Sequence, residues 1–270
     1  MSLSEEQKDR YARNIILSDV GEEGQNKLLR SKVMIIGAGG LGSPAAMYLA
    51  AAGVGTIGIA DSDEVDLSNL QRQIIHHTSD LGIAKVESAK QTLTEINPDI
   101  TVNIFKVMIT EKNILDIIKD YDFVLDCTDN FASKFLINDA CVLAKKAYAH
   151  AGIFGFSGQL MTYVPGKGPC YRCVFKNPPS TSDIPTGKQA GVIGAVAGII
   201  GSLEAMEAIK YLLGIGELLT GKLLTYDAIR QEFRKITLPK ENRECAVCGD
   251  NPTITRKNYS HIGGKDGEGA

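Results

Sequence analysis

From residue 33 onward, short apolar runs alternate with longer amphipathic stretches. The runs at 33–36, 57–60, 102–107 and 123–125 have the length and β-branched content of strands, and the stretches at 41–52, 85–96 and 114–119 repeat their apolar positions at helical spacing. Such alternation predicts an α/β fold, a mostly parallel sheet with helices on both faces. Ahead of it, residues 3–30 read as one or two helices. Ile15, Ile16, Val20, Leu28 and Leu29 are their apolar positions, and Gly21 and Gly24 interrupt.

Beyond a helix at 134–145 the pattern turns to strands bounded by turn residues, at 159–164, 223–226 and 231–236. These predict an antiparallel extension of the same sheet. Between them, residues 176–189 carry Pro178, Pro179 and Pro185 with Ser180, Thr181, Ser182 and Thr186 and no periodicity, the composition of a mobile loop. The small, apolar run 190–201 reads as tightly packed buried helix and falls short of the roughly 20 residues that cross a bilayer. A helix at 199–213 follows, with Gly214 placed as its C-cap. The expected organisation is a helical arm over 1–30, a single domain over 31–255 whose two halves meet near residue 150, and a tail over 256–270. Its end, 263–270, is Gly-rich and charged, a disordered composition.

A chain of 270 residues that is 44% hydrophobic can bury a substantial core. Its formal net charge is -3 and its basic residues are scattered, so it carries no electrostatic footprint for nucleic acid. The first residues are polar where a signal peptide needs an apolar stretch, and a cytoplasmic address with no membrane partner is expected.

Gly37, Gly39 and Gly42 form a GxGxxG directly after the strand at 33–36 and at the opening of the next helix. This spacing allows a tight turn and lets phosphate oxygens approach a helix N-terminus, the Rossmann-like arrangement. Asp61, at the end of the next strand, is placed to accept hydrogen bonds from ribose hydroxyls. Asp61, Asp63, Asn69, Arg72 and Lys85 crowd one polar stretch, and Asp129 follows the strand at 123–125, so all are expected at the carboxyl ends of neighbouring strands. Arg72 and Lys85 suit a triphosphate and its departing pyrophosphate, and Asp129 suits Mg²⁺. A nicotinamide cofactor needs no such set.

Cys170 and Cys173 make one CxxC, Cys245 and Cys248 another. Four thiolates in this pattern point to a closed tetrahedral structural zinc site tying the chain end back onto the loop-bearing segment. Cys127 and Cys141 read as small core residues, and Cys127, between Asp126 and Asp129, as a thiol raised by its acidic neighbours. The histidines at 76, 77, 150 and 261 have no metal-ligand spacing.

The ordered motifs Arg10-Tyr11-Ala12-Arg13, GAGGLGSP from Gly37, Asp61-Ser62-Asp63, Ser68-Asn69-Leu70-Gln71-Arg72, Lys85, Asp126-Cys127-Thr128-Asp129-Asn130, the two CxxC pairs and Ala190-Gly191-Val192 resemble those of the ThiF/MoeB/HesA family, bacterial relatives of ubiquitin-activating enzymes. The resemblance implies a homodimer that binds Mg-ATP and transfers AMP to the C-terminal glycine of a ubiquitin-like sulfur-carrier protein of the ThiS or MoaD kind, ending in Gly-Gly. It assigns Gly40 and Asp61 to the nucleotide, Asn69, Arg72 and Lys85 to the phosphates, Asp129 to the metal, and Arg13 to the triphosphate of the neighbouring subunit. Ser68 and Asn130, within two of the matching motifs, join the nucleotide set. It also makes 31–150 the nucleotide-binding half and 151–255 the half that holds the carrier and the zinc.

One departure matters. Many members carry a cysteine three positions before the Ala-Gly-Val stretch, where this chain has Gly187, and 176–189 contains no cysteine at all. The expectation is activation that stops at the acyl-adenylate, with sulfur arriving from a separate persulfide donor protein or sulfide. The chain is also read as too short beyond Cys248 for an appended rhodanese domain. Rival readings are an NAD-dependent oxidoreductase on the same opening motif, a zinc-stapled nucleotide-sensing scaffold, and adenylation of a different peptide or small-molecule carboxylate.

Overall fold

The computed structural model describes residues 2–178 and 191–259. Residues 176–189, with Gly187, and the 256–270 tail fall largely outside them, so the expectations placed there lie outside the described residues.

The arm is three short helices, α1 (Glu5–Arg10), α2 (Ala12–Ile15) and α3 (Gly21–Arg30), where one or two were expected. Ser4 and Gln7 close a capping box on α1, and Gly21 enters α3 at φ +57°. The core then alternates β1 (Lys32–Ile36), α4 (Gly42–Ala51), β2 (Thr56–Ala60), α5 (Lys85–Ile96), β3 (Thr101–Phe105), α6 (Ile114–Ile118), β4 (Phe123–Asp126) and α7 (Phe131–Ala144). After these come β5 (Ala147–Phe154), β6 (Ser157–Tyr163), α8 (Tyr171–Val174), α9 (Gly194–Leu213), β7 (Lys222–Asp227) and β8 (Glu232–Thr237).

The eight strands among the described residues form one sheet in the order β3-β2-β1-β4-β5-β6-β7-β8. The first five run parallel and the last three are added antiparallel. β1 and β4 are neighbours although two strands, β2 and β3, lie between them in the chain, so the winding direction reverses between them. The crevice at such a reversal is where open α/β sheets take their ligands.

One face of the sheet packs Val33, Ile35, Ile57, Phe123 and Leu125 under α3, α4, α5 and α9. The other packs Met34, Ile36 and Val124 under α6, α7 and the cysteine-bearing segment. Both faces are covered, which is why β1 and β4 read as unbroken apolar runs. Two elements depart from expectation. β5 is a strand where none was read, because its alternation of alanine with Tyr148, His150 and Gly152 lacks β-branched signal while both of its faces are buried. α9 is one helix from Gly194 to Leu213 where the run 190–201 and the stretch 199–213 read as two successive helical segments, and its small residues Gly194 and Gly201 sit where a Cβ would meet the Gln71 and Leu41 carbonyl oxygens at 2.4 Å. Gly214 ends it at φ +77°, the expected left-handed cap. Among the described residues no helix is long and apolar enough to cross a membrane.

Candidate functional site

β1 ends one residue before Gly37, whose φ of +101° only glycine tolerates and whose Cβ would meet the Cys127 carbonyl at 2.8 Å. Gly42 lets α4 start directly against this turn, since a Cβ there would lie 2.0 Å from the Gly37 carbonyl oxygen. Gly39, by contrast, faces open space except for the Gln73 carboxamide, and Gly40 lies under the aliphatic part of Arg72 and the methyl of Ala197. The glycine-rich turn and the 127–130 segment after β4 therefore flank the reversal point from either side.

Asp61, just past β2, accepts hydrogen bonds from the Ala38 N–H (2.8 Å) and the Asp63 N–H (2.9 Å). Its first task in this structure is to hold the glycine-rich turn; each oxygen keeps a lone pair for a ribose hydroxyl. Lys85 opens α5, is almost fully buried, and pairs with the exposed Asp63 at 2.9 Å. Arg72 donates to the Ser68 carbonyl at 3.0 Å. The segment carrying it is rigid: Ser68 donates to Asp66 at 2.5 Å and Asn69 accepts the Asp66 N–H at 3.1 Å. Asp129 is exposed and makes no ion pair or side-chain hydrogen bond among the described residues. Asn130 caps α7, accepting the Ser133 N–H at 2.9 Å. The structure thus gathers Gly37, Gly39, Gly40, Gly42, Asp61, Asp63, Ser68, Asn69, Arg72, Lys85, Asp129 and Asn130 along one sheet edge.

Arg13 is not among them. Its helix is anchored where Asn14 and Gln25 meet the Ala52 carbonyl, past the far end of α4. Ten helical residues separate that end from the glycine-rich turn, about 15 Å. Arg13 is exposed there, at the opposite end of α4 from the glycine-rich turn.

Sequence reasoning overlooked a buried network beneath the 127–130 segment. Lys134, in the first turn of α7, donates to the carbonyls of Thr128 and Ala151, both at 2.7 Å, with Asp126 at 3.7 Å. His150 Nδ1 donates to Asp126 at 2.9 Å, and the Thr128 hydroxyl donates to the other Asp126 oxygen at 2.6 Å. Burial works against the Asp126 charge, but Lys134 and His150 hold its carboxyl below the usual range. Cys127 is pushed well up, first by burial and then by Glu204, whose carboxyl burial likewise raises. The acidic neighbours invoked from sequence are thus the lesser cause. A lysine in the first turn of a helix, where the dipole opposes it, was the available signal.

A second missed set lies under the glycine-rich turn. Buried His76 reaches the Ala38 carbonyl through Nε2 (3.0 Å) and Ser88 Oγ through Nδ1 (2.8 Å), and Ser88 donates to Asp80 at 2.7 Å. Burial, then Lys85, pushes His76 below the ordinary imidazole range, with the Ala38 carbonyl, Asp80 and Asp61 opposing.

Across the sheet, the sulfurs of Cys170, Cys173, Cys245 and Cys248 all lie within 4.8 Å of one another. Neighbouring pairs are 3.3 to 3.8 Å apart. A disulfide would need about 2.05 Å, whereas four sulfurs around one ion at about 2.3 Å would stand about 3.8 Å apart. The cluster could therefore bind a tetrahedral ion such as zinc. Tyr163 and Val247 pack around it, so it staples the chain end to the α7 face.

The comparisons with known proteins agree with this geometry. The ThiF family model matches residues 11–247. An adenylyltransferase and sulfurtransferase MOCS3 from Aedes aegypti is 47% identical over 247 residues, covering 92% of this chain and 56% of its own. The chain thus spans a little over half the length of that relative. A sulfur carrier protein adenylyltransferase from Thermus thermophilus is 45% identical over 258 residues, covering 94% of this chain and 95% of its own. Among solved structures, E. coli MccB with ATP aligns at a TM-score of 0.76 and 26% identity, covering 89% of this chain and 73% of that one. With a family match over most of its length and a sheet edge that gathers the motif residues, this chain belongs to the ThiF family.

Proposed function

We propose that this protein is an ATP-dependent adenylyltransferase that activates the C-terminal glycine carboxylate of a ubiquitin-like sulfur-carrier protein, of the kind that serves thiamin or molybdopterin biosynthesis. The observation that carries the reading is the convergence, at one sheet edge, of an open glycine-rich turn, two cations (Arg72 and Lys85) and an exposed carboxylate without a protein partner, Asp129. A carboxylate oxygen of the carrier attacks the α-phosphorus; the new P–O bond forms as the bond to the β-phosphate oxygen breaks, and pyrophosphate leaves. Lys85 exchanges Asp63 for phosphate oxygens, and Arg72 exchanges the Ser68 carbonyl, so fixed positive charge meets the charge that gathers on the leaving group. Asp129 would hold Mg²⁺, which neutralises that same charge.

The four-cysteine cluster would hold a structural zinc ion, and its thiolates suit a reducing cytoplasmic setting. A homodimer completes the picture. Arg13 stands too far from its own site, and an open apolar groove of about 500 Å³, lined by Pro44, Tyr48, Ile74, Ile199, Leu203 and Phe233, offers a surface for a second copy. Because 176–189 contains no cysteine, the chemistry of this chain ends at the acyl-adenylate, and a persulfide donor protein supplies sulfur afterwards.

ATP–pyrophosphate exchange tests the reading. Exchange that depends on a carrier ending in Gly-Gly, with mass spectra showing carrier-AMP and no enzyme-linked carrier, is the expected result. NAD(H) binding without exchange would overturn the reaction class, and a thiol-sensitive enzyme–carrier conjugate would overturn the endpoint.

A further inference from the structure

The two peptide groups that flank Ala38 are both held, the second being the one between Ala38 and Gly39. The Ala38 N–H donates to Asp61 at 2.8 Å, and the Ala38 carbonyl accepts from His76 Nε2 at 3.0 Å. Carbonyl acceptance leaves no choice of tautomer, since Nε2 must carry the proton. The ring itself is fixed by a chain leading away from the sheet edge. Ser88 Oγ lies 2.8 Å from Nδ1 and donates to Asp80 at 2.7 Å, while Asp80 also accepts the His77 N–H at 2.9 Å and the Ser79 hydroxyl at 3.1 Å. His76 and Asp80 are both buried, so the chain does not compete with water.

The chain has a stereochemical consequence. The peptide is trans, so the Ala38 C=O and the Gly39 N–H point in opposite directions. With the carbonyl drawn inward to His76, the Gly39 N–H faces outward from the fold. It has no hydrogen-bond acceptor among the described residues, and the space beside Gly39 is open except for the Gln73 carboxamide, 3.6 Å from where a Cβ would stand. This buried side-chain chain thus aims a free backbone donor into the open side of the glycine-rich turn.

We propose that His76, fixed by Ser88 and Asp80, is a positioning residue that points the Gly39 N–H at a phosphate of the bound nucleotide. The inference rests on the nucleotide reading above and adds to it the residues that preorganise the turn. Such preorganisation favours the phosphate without a reorganisation cost at binding. The adenine and ribose, which do not meet this N–H, gain nothing from it.

That asymmetry provides the test. In the full chain, His76→Leu removes the donor to Ala38, and calorimetry should show Mg-ATP binding weakened on the order of tenfold with adenosine binding unchanged. Ser88→Ala, which keeps the imidazole but frees the ring, should shift the same ratio less. Nitrogen-15 spectra of the unsubstituted protein should show His76 protonated at Nε2. Equal weakening of both ligands, an unchanged ATP-to-adenosine ratio in both variants, or a ring protonated only at Nδ1 would overturn the proposal. If His76→Leu does not fold, Ser88→Ala and the spectra decide. An unsubstituted protein that binds ATP no tighter than adenosine would instead overturn the nucleotide reading on which the proposal stands.

Discussion

His76 couples the glycine-rich turn to pH. Its pKa in the folded chain lies below the ordinary imidazole value, with burial the largest cause and Lys85 next, against Asp80, Asp61 and the Ala38 carbonyl. The unfolded chain therefore binds the proton first. Stability from this residue is complete above about pH 6.5 and declines as the pH falls from there through the lower folded-state value. Urea midpoints between pH 7.5 and 5.5 should fall in the unsubstituted protein and fall less in His76→Leu. Asp80, itself held below the usual carboxylate range by the His77 N–H and the Ser88 and Ser79 hydroxyls despite its burial, adds a separate loss only at more acid pH. None of this was legible in the sequence. A histidine with no metal-ligand spacing is silent until the fold brings Ala38, 38 positions away, to its Nε2. Gly37, Gly42 and the four cysteines were legible because their function demands a residue type at a fixed spacing. Lys134 and Asp126 serve in part through Ala151 and His150, contacts that the β4–β5 pairing creates.

At the scale of elements, β1 to β4 and α5 announced themselves through short apolar runs and helical periodicity, and α9 through a small, apolar run and the periodic stretch after it, whereas β5 did not. The first turns of α9 are built from small residues because they pass close over two backbones. Gly201 shows the closeness, since its Cβ position is 2.4 Å from the Leu41 carbonyl oxygen and 2.7 Å from Pro44. Gly201→Ala should therefore push α9 away from α4 and cost about 1 to 3 kcal/mol, visible as a lower urea midpoint with an unchanged slope. Leu41 and Pro44 flank the start of α4, so the same variant should also bind ATP more weakly. An alanine that left both quantities unchanged would mean that α9 yields without disturbing the turn.

Over the whole molecule, two assemblies extend the single sheet. The first is the proposed zinc staple, which joins α8 to the chain segment after β8 across the α7 face. Chelation should lower the thermal midpoint by several degrees and release one zinc per chain, with ion release measured by a colorimetric zinc dye; a chain that yields no zinc would remove the ion from this account. The second is the proposed dimer. Arg13→Ala and Asp129→Ala should each abolish exchange alone. Mixed subunits should recover about a quarter of the unsubstituted rate, because half of the random dimers are mixed and each holds one intact site. No recovery would place Arg13 outside the neighbouring subunit's site.

The double membership of β5, parallel to β4 and antiparallel to β6, has a kinetic consequence. The β5–β6 hairpin joins residues close in sequence, with Phe154 paired to Ser157, and hairpins of this kind close in about 1 to 10 μs. The β1–β4 pairing must instead bring together chain segments with β2, α5 and β3 between them, and pairings of such high contact order form slowly. The hairpin is thus a template already standing when β4 arrives. Full-length chains refolding from denaturant should acquire the fixed register of the β5–β6 hairpin before they acquire a crevice able to hold nucleotide, which makes ATP a ligand of late folding states only.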